Sequence, residues 1–192
     1  MGLQIIHCDR IPPQPWKNGG GQTRELFTWP PGGPWSLRIS VADIRAEGPF
    51  SPFPGVERWF TVLEGDGVVL AFPGRRAVLG SESAPLHFDG GEAPDCELCG
   101  GPTRDLNLMV RHDAGRGLMQ RATPGAEWPS RAPLRAVFTT GPALLQINDT
   151  DAARLPAWSL AVSTHGAGQR WRIGGDEPPR AWWLAFEPKD TP

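Results

Sequence analysis

The sequence has no tyrosine, only three cysteines among its 192 residues, and little net charge. An odd number of cysteines does not indicate a disulfide framework. The formal charge of −2 offers no general attraction to nucleic acid or to an anionic membrane. No basic N-terminal region precedes a long apolar run, and no stretch approaches the roughly 18 apolar residues of a membrane span. We therefore expect a cytoplasmic protein that binds neither nucleic acid nor membrane.

Glycine and proline are abundant instead, with 24 and 22 residues. Turn sequences such as "EGDG", "FDGGE" and "GGDEPP" separate many short apolar or alternating segments, and no amphipathic helix of ten residues or more is evident. This spacing predicts an all-β protein, a sandwich or a barrel. The apolar periodicity lapses after residue 112. We expect a first barrel over residues 1–112 and a shorter second half over residues 113–192, packed as one compact unit.

The N-terminal segment "PWKNGGGQTREL" raises the question of a phosphate-binding loop. Such a loop places its lysine after the glycines and opens a helix, so that backbone N–H groups converge on the anion. Here Lys17 precedes the glycines, and the following residues alternate as a strand does. The segment therefore predicts a glycine-rich turn that bends sharply or lets another group approach the backbone.

Residues 47–72, "EGPFSPFPGVERWFTVLEGDGVVLAF", resemble the first motif of the cupin superfamily of small jelly-roll barrels. In metal-binding cupins this segment supplies two histidines and a glutamate. Counting back from Gly65 places Arg58 at the glutamate position and Phe53 and Ser51 at the histidine positions. A guanidinium offers only donors and a permanent positive charge. We expect no metal and no cofactor here, and an anion site instead; the alternative is that Arg58 is an ordinary solvated strand residue.

Two further strands carry polar side chains on one face. Period-two alternation in "RDLNLMVR" places four side chains together: Asp105, Asn107, Met109 and Arg111. Arg38 and Ser40 share a face in the same way in "WSLRISVA". These patterns fit a ligand-lining surface and fit a structural salt-bridge network equally well.

Isolated cysteines and histidines give weaker signals. The pair Cys96 and Cys99 forms "CELC", but no second C-x-x-C or H-x-x-x-H completes a zinc site, so free thiols in a strand are favoured. His87 lies near the position of a second cupin histidine, and we interpret it as structural.

Five motifs in order, "WKNGGGQTRE", "RISVADI", "GPFSPFPGVER", "VLEG" and "DLNLMVR", resemble the HutD/Ves family of metal-free, cupin-like bacterial proteins. The resemblance implies a double-stranded β-helix (jelly-roll) fold with a bicupin-like arrangement and very little helix. It also implies that the glycine turn delivers Trp16, Lys17 and Asn18 toward a cavity. The positions that match family motif residues are expected to bind the ligand: Lys17, Asn18, Thr23, Glu25, Arg38, Arg58, Asp105, Asn107 and Arg111.

For the HutD branch, the resemblance implies a link to histidine utilisation, in a regulatory or ligand-buffering role without an established reaction. One hypothesis is a protein that binds a small carboxylate metabolite, with urocanate, formiminoglutamate and formylglutamate as candidates, because arginine pairs bidentately with carboxylates. The other is a metal-independent isomerase or hydrolase with a general base among Glu25, Asp105 and His87. The absence of an evident Ser–His–Asp or Cys–His pairing favours the binding protein. A homodimer stays open.

Overall fold

The structure, a computed structural model, describes residues 2–189, and within this range the chain forms nineteen β-strands and two short 3₁₀ helices, Cys8–Arg10 and Gly90–Glu92. The prediction of an all-β protein with very little helix is confirmed. No helix within residues 2–189 has the length and apolarity needed to cross a membrane.

The strands follow one another at short intervals along the chain. In chain order they are β1 (Gln4–His7), β2 (Gln14–Pro15), β3 (Gly21–Trp29), β4 (Leu37–Ile44), β5 (Gly48–Pro49), β6 (Val56–Glu64), β7 (Val68–Phe72), β8 (Arg75–Leu79), β9 (Leu86–Asp89), β10 (Asp95–Leu98), β11 (Thr103–Arg111), β12 (Gly115–Arg121), β13 (Glu127–Trp128), β14 (Leu134–Thr139), β15 (Ala143–Ile147), β16 (Ala153–Leu155), β17 (Ser159–Ser163), β18 (Trp171–Gly174) and β19 (Ala181–Pro188).

The chain divides into two compact units. The continuous unit comprises residues 11–115, and the split unit comprises the described parts of residues 1–10 and 116–192. The sequence-based division put residues 1–112 in the first barrel, whereas in the structure the N-terminal segment belongs with the C-terminal one. The reason is a long-range pairing: β1 lies antiparallel to β17, with Ile5 opposite Ala161.

The split unit contains two sheets. Its five-stranded sheet has the order β1-β17-β14-β19-β12, and its four-stranded sheet has the order β13-β18-β15-β16. Its core is rich in tryptophan: the rings of Trp128 and Trp183 stack at 4.8 Å, and Trp171 packs edge-on against Trp183 at 6.3 Å. Large aromatic rings supply much of the apolar area that a small barrel buries.

The continuous unit also contains two sheets. The larger has the order β2-β3-β4-β11-β6-β9, and the smaller has the order β5-β10-β7-β8. One apolar cluster joins them, with Phe60 and Val62 of the larger sheet packed among Val68, Leu70 and Cys96 of the smaller. The face of the larger sheet that carries Phe60 and Val62 therefore points into the barrel.

The glycine-rich segment is a turn that leads into β3. The amide of Gly19 donates to the carbonyl of Trp16 at 3.0 Å, and Gly19 has a φ of 73°, which favours glycine. At Gly21, a Cβ atom would overlap the backbone oxygen of Asp43 and lie 3.0 Å from the Trp16 ring. The glycines thus allow Trp16 to pack against the apolar core of the barrel.

Candidate functional site

The interior face of the larger sheet in the continuous unit carries polar residues at three successive levels. At the outer level, Met109 of β11 lies between Arg38 of β4 and Arg58 of β6. Two residues further along β11, Asn107 is flanked by Ser40 and Phe60, and then Asp105 by Ala42 and Val62. Because alternate residues of a strand share a face, these polar side chains point into the barrel with Phe60 and Val62.

Arg58 reaches along this face to Asn107. Its Nε and Nη2 atoms donate to Asn107 Oδ1 at 2.9 and 2.6 Å. Its guanidinium carbon lies 4.4 Å from the centre of the Phe50 ring and 5.6 Å from that of Phe88, within the range of cation–π contacts. The expectation that Arg58 is a solvated strand residue does not fit this position.

Asn107 also contacts Asp105. Its Nδ2 atom donates to Asp105 Oδ1 in a short hydrogen bond. Asp105 is 1% exposed, and its second oxygen, Oδ2, has no hydrogen-bond partner among the described residues. A buried carboxylate oxygen without a donor is unfavourable, so the barrel holds one unsatisfied acceptor next to its charged groups.

Asp105 is buried and Arg58 is half-buried, and the loss of solvation changes the protonation equilibria of both groups. Burial raises the pKa of Asp105 to about 7, because the attraction of Arg58 and the hydrogen bond from Asn107 only partly offset the loss of solvation. Burial lowers the pKa of Arg58 to about 10, and Asp105 offsets part of that change. Arg58 therefore stays cationic at neutral pH, while Asp105 titrates near neutrality.

The edge of this cluster is open to solvent. Arg38 Nε donates to Glu25 Oε2 at 2.7 Å, and the two side chains are 17% and 38% exposed. Arg38 Nη1 also lies 3.7 Å from the sulfur of Met109, a weak acceptor. Arg38 and Glu25 thus form a partly solvated ion pair beside the more enclosed Arg58.

Three of the remaining predicted residues lie at or next to the glycine turn. Lys17 and Asn18 are exposed on the glycine turn, and Asn18 Oδ1 accepts from the Gly20 amide at 3.0 Å. Thr23 shares the interior face with Glu25, opposite Ala42, and its Oγ1 atom accepts from Trp16 Nε1 at 2.8 Å and so supports the turn. Of the nine predicted residues, the structure places six on one interior face: Thr23, Glu25, Arg38, Arg58, Asp105 and Asn107.

Arg111 shares the strand face of Met109 but lies at the strand end. It is exposed, and its Nε and Nη2 atoms bind the Asp113 carboxylate at 3.0 and 2.7 Å. It lines a surface cavity of about 500 Å³, together with Pro34, Trp35, Pro54, Gly55, Val56, His112 and Asp113. Neither Arg38 nor Arg58 lines this cavity, so the structure separates Arg111 from the interior cluster.

His87 lies on the opposite face of the larger sheet. In the pairing of β6 with β9 it stands opposite Trp59, whereas Phe88 stands opposite Arg58. Its ring stacks on Trp59 at 4.3 Å, and its Nε2 atom is 3.6 Å from Glu57 Oε2. Among the three general bases that the sequence suggested, His87 is thus the one that does not face the barrel interior.

Residues 2–189 contain no group of three or more His, Cys, Asp or Glu side chains placed to hold a metal ion. At the positions of the cupin histidines, Ser51 is exposed and Phe53 is partly buried. The groups that occupy the barrel beside Arg58 are instead aromatic rings and a carboxyl–amide pair.

Two contributors to this environment were not predicted from the sequence. Phe50 was inside the proline- and phenylalanine-rich loop, but nothing local indicated that its ring would cover Arg58. Cys96 is buried in the same barrel, and burial together with the nearby charge of Asp105 raises the pKa of its thiol to about 12. Cys96 alternates with the exposed Asp95 in β10, which was the available signal.

The opposite face of the sheet holds a second missed cluster. Asp43 accepts hydrogen bonds from Gln22 Nε2, Arg24 Nη1 and Arg104 Nε at 2.7, 2.8 and 2.6 Å. Burial alone raises the pKa of Asp43, but these hydrogen bonds and the charge of Arg104 outweigh it and lower the pKa to about 2. Because all three partners donate hydrogen bonds to Asp43, its ionised carboxylate is stabilised. Asp105 differs, since its Oδ2 atom has no donor among the described residues.

In the continuous unit, the "LEGDG" turn connects β6 of one sheet to β7 of the other, and this two-sheet barrel with polar side chains inside defines a cupin-like protein. The chain belongs to the HutD family, whose model matches residues 9–177. It is 38% identical over 134 residues to an uncharacterized 21.2 kDa protein in the hutC 3′ region of Pseudomonas putida, and 38% identical over 113 residues to protein Ves of Citrobacter koseri. These matches cover 62% and 58% of this chain, and 63% and 59% of those relatives' lengths.

Solved structures agree with this assignment. A conserved protein of unknown function from Pseudomonas aeruginosa PAO1 superposes with a TM-score of 0.89 at 28% identity, over 97% of this chain and 99% of that one. HutD from Pseudomonas fluorescens SBW25 gives 0.85 at 26% identity, over 98% and 100%. A cupin barrel protein from Leptotrichia buccalis, 11% identical with a TM-score of 0.57 over 96% of both chains, shares the fold. The predicted family and jelly-roll fold are confirmed.

Proposed function

We propose that the continuous unit binds a small carboxylate inside its barrel, at Arg58. One observation carries the proposal: the guanidinium lies among the rings of Phe50 and Phe88, and its hydrogen bonds to described residues all go to one neutral amide oxygen of Asn107. A cation in an apolar environment attracts an anionic partner strongly. Asp105 supplies negative charge only across Asn107, which leaves the guanidinium without a direct carboxylate.

The unused donors of Arg58 suit a carboxylate. Its Nη1 atom has no hydrogen-bond acceptor among residues 2–189, and Nη2 uses one of its two N–H groups on Asn107. The planar guanidinium can present two parallel N–H groups to the two oxygens of a carboxylate. Arg38, on the other side of Met109, lies at the open edge of the cluster, where its charge is paired with that of Glu25.

The family supplies the candidate ligands. One solved relative is named HutD, and one curated relative lies in the hutC 3′ region. On this basis we extend a link to histidine utilisation to this chain, with urocanate, formiminoglutamate and formylglutamate as candidate ligands, since each carries a carboxylate. Such a protein would act in the cytoplasm and buffer or report the level of a pathway metabolite.

Asp105 supports a second candidate function. A general base works best when its pKa lies near the operating pH, and the pKa of Asp105 is raised to about 7 by burial. The alternative is therefore a metal-independent isomerase or hydrolase that acts on a small carboxylate, with Asp105 as the proton-transfer group.

A thermal-shift screen followed by NMR distinguishes the two functions. Pathway intermediates, formate and acetate are added to the wild-type protein and to two variants, Arg58→Met and the control Arg76→Met, whose arginine is exposed on β8. We expect at least one acid to raise the melting temperature of the wild type and the control but not of Arg58→Met. NMR of each stabilising acid over hours then shows whether it is consumed. Equal stabilisation of all three proteins would contradict binding at Arg58, and turnover would favour the enzyme.

A further inference from the structure

We propose that Asp105 is the internal counter-charge of the anion site: a carboxylate that binds Arg58 replaces the negative charge of Asp105, which takes up one proton from solvent as the ligand enters. The inference rests on the proposed function of this barrel. In this role Asp105 does not contact the ligand. The carboxylate of the ligand takes the place of the Asp105 carboxylate as the negative charge near Arg58.

The geometry separates Asp105 from Arg58 while keeping the two groups coupled. Asn107 stands between them, accepting from Arg58 through Oδ1 and donating to Asp105 through Nδ2. An amide carries no charge, so it can hold Asp105 in either protonation state. The orphaned oxygen of Asp105, Oδ2, has no donor in the described chain and is therefore available to carry a proton.

The charged groups around Asp105 leave Arg58 as its main stabilising partner. Burial raises the pKa of Asp105, Arg58 on β6 is the largest influence that lowers it, and Asp43 on β4 raises it again. Cys96 on β10 faces the same interior, and its thiol stays protonated at neutral pH because burial raises its pKa to about 12. Arg38 of β4 is paired with Glu25 of β3, so this ion pair adds little net charge.

A bound carboxylate would remove the influence that keeps Asp105 ionised. Neutralising Arg58, and placing a second negative group in the barrel, both favour the protonated form of Asp105. The pKa of Asp105 in the complex should then exceed its value of about 7 in the free protein, by about one to three units for a charge a few ångströms away.

The sign of the pH dependence follows from this linkage. Below about pH 7, Asp105 of the free protein is already protonated, so ligand affinity should not vary with pH as long as the ligand is ionised. Above that pH each binding event requires one proton. Affinity should fall about tenfold per pH unit until the pKa of the complex is reached.

Calorimetry at pH 8 in two buffers of different ionisation enthalpy tests the proposal, with formate, acetate and urocanate as the probes. For each acid that binds, a pKa increase of about one to three units gives an expected uptake of about 0.4–0.9 proton at pH 8, both by the wild type and by the control Asp95→Asn, whose aspartate is exposed on β10. Asp105→Asn should bind without proton uptake and with a flat affinity between pH 7 and pH 8. Binding without uptake by the wild type, or equal uptake by Asp105→Asn, would overturn the proposal and leave the proposed function standing.

A second measurement tests the counter-charge role without a ligand, and so decides the case in which none of the three acids binds. Carbon-13 NMR of labelled aspartate follows the titration of Asp105 in the free wild type and in Arg58→Met, with Asp105→Asn assigning the signal. We expect one carboxyl group that titrates near neutrality, and an upward shift of at least one pH unit in Arg58→Met. An unchanged midpoint would show that Arg58 and Asp105 are not coupled, and would overturn the counter-charge role.

Discussion

Arg58 and Asn107 are joined by two hydrogen bonds to a single oxygen, because Nε and Nη2 of the guanidinium both donate to Asn107 Oδ1. A guanidinium has no acceptor, so this contact fixes the orientation of the amide and turns its Nδ2 group away from the arginine. The same Nδ2 group donates a hydrogen bond to Asp105 Oδ1. Arg58 thus determines both the charge environment and the hydrogen bonding of Asp105.

Two substitutions of Arg58 should distinguish the effect of its charge on carboxylate binding from the effect of its planar pair of donors. Arg58→Lys keeps the charge but not the planar pair of donors, so it should weaken carboxylate binding. Arg58→Met removes both and should cost more, on the order of 2–4 kcal/mol of binding free energy. Calorimetric affinity for the best acid from the screen, together with the urea midpoint, measures this. Unchanged affinity with a large loss of stability would make Arg58 a structural residue.

Asp105 should make the folded protein less stable as the pH rises. Its folded-state pKa of about 7 exceeds the ordinary value of 3.8, so its favourable contribution is complete below about pH 4 and is lost as the pH rises to 7. The loss is on the order of 4 kcal/mol for a shift of this size. Urea unfolding at several pH values should show Asp105→Asn gaining stability relative to the wild type between pH 4 and pH 7. A constant difference over that range would contradict the buried, titrating carboxyl.

Asp43 should have the opposite effect. Its pKa is lowered from 3.8 to about 2, so it stabilises the fold above about pH 4 and loses this contribution as the pH falls to 2. The shift corresponds to about 2–3 kcal/mol. In urea unfolding, Asp43→Asn should be less stable than the wild type at pH 7, and the difference should shrink below pH 4. The exposed Asp95→Asn is the control; a comparable loss there would show that the effect is not specific to the Asp43 cluster.

Gly21 should not tolerate a side chain. A Cβ atom would overlap the backbone oxygen of Asp43 and press on the Trp16 ring at 3.0 Å, so Gly21→Ala should cost about 1–3 kcal/mol of stability. Gly33→Ala is the matched control, since its Cβ would have no neighbour within 4 Å. Urea midpoints compare the two variants. Equal midpoints would show that the turn can move away from Trp16 without cost.

The cysteines should differ in reactivity. Cys99 is exposed, whereas Cys8 and Cys96 are 0% and 2% exposed, and burial raises the pKa of Cys96 to about 12. Since the thiolate is the reactive form, iodoacetamide should alkylate Cys99 in the native protein and the other two only after unfolding. Peptide mass spectrometry identifies the labelled positions. Rapid native labelling of Cys96 would mean that the barrel interior opens readily.

Much of the interior face was predictable, because a strand's alternation is local information. Asp105 and Asn107 were placed together from "RDLNLMVR", and the structure confirms that they touch. The cupin motif likewise identified Arg58 as the unusual residue of its strand. Alternation cannot show where a strand ends, which is why Arg111, on the expected face, lies outside the barrel.

Contacts that depend on pairing between distant strands were not predictable. Met109 lies between Arg38 and Arg58 only because of the registers of β4 and β6 against β11. Glu25 reaches Arg38 across a β-bulge between Glu25 and Phe27, which shifts β3 relative to β4. Neither register has a signature in the residues of a single strand.

The pairing of β1 with β17 also determines the order in which the two units can be completed during synthesis. Every strand of the continuous unit has been translated once residue 115 is added, so this barrel has all its parts early. β1 is synthesised first, but it has no neighbouring strand until its partner β17, Ser159–Ser163, has been synthesised. In the interval Ile5, still 41% exposed in the finished fold, belongs to an unpaired strand, the kind of segment that other chains can join. A ribosome-bound chain that stalls between these two points would contain all the strands of the continuous unit and an unpaired β1 at its start.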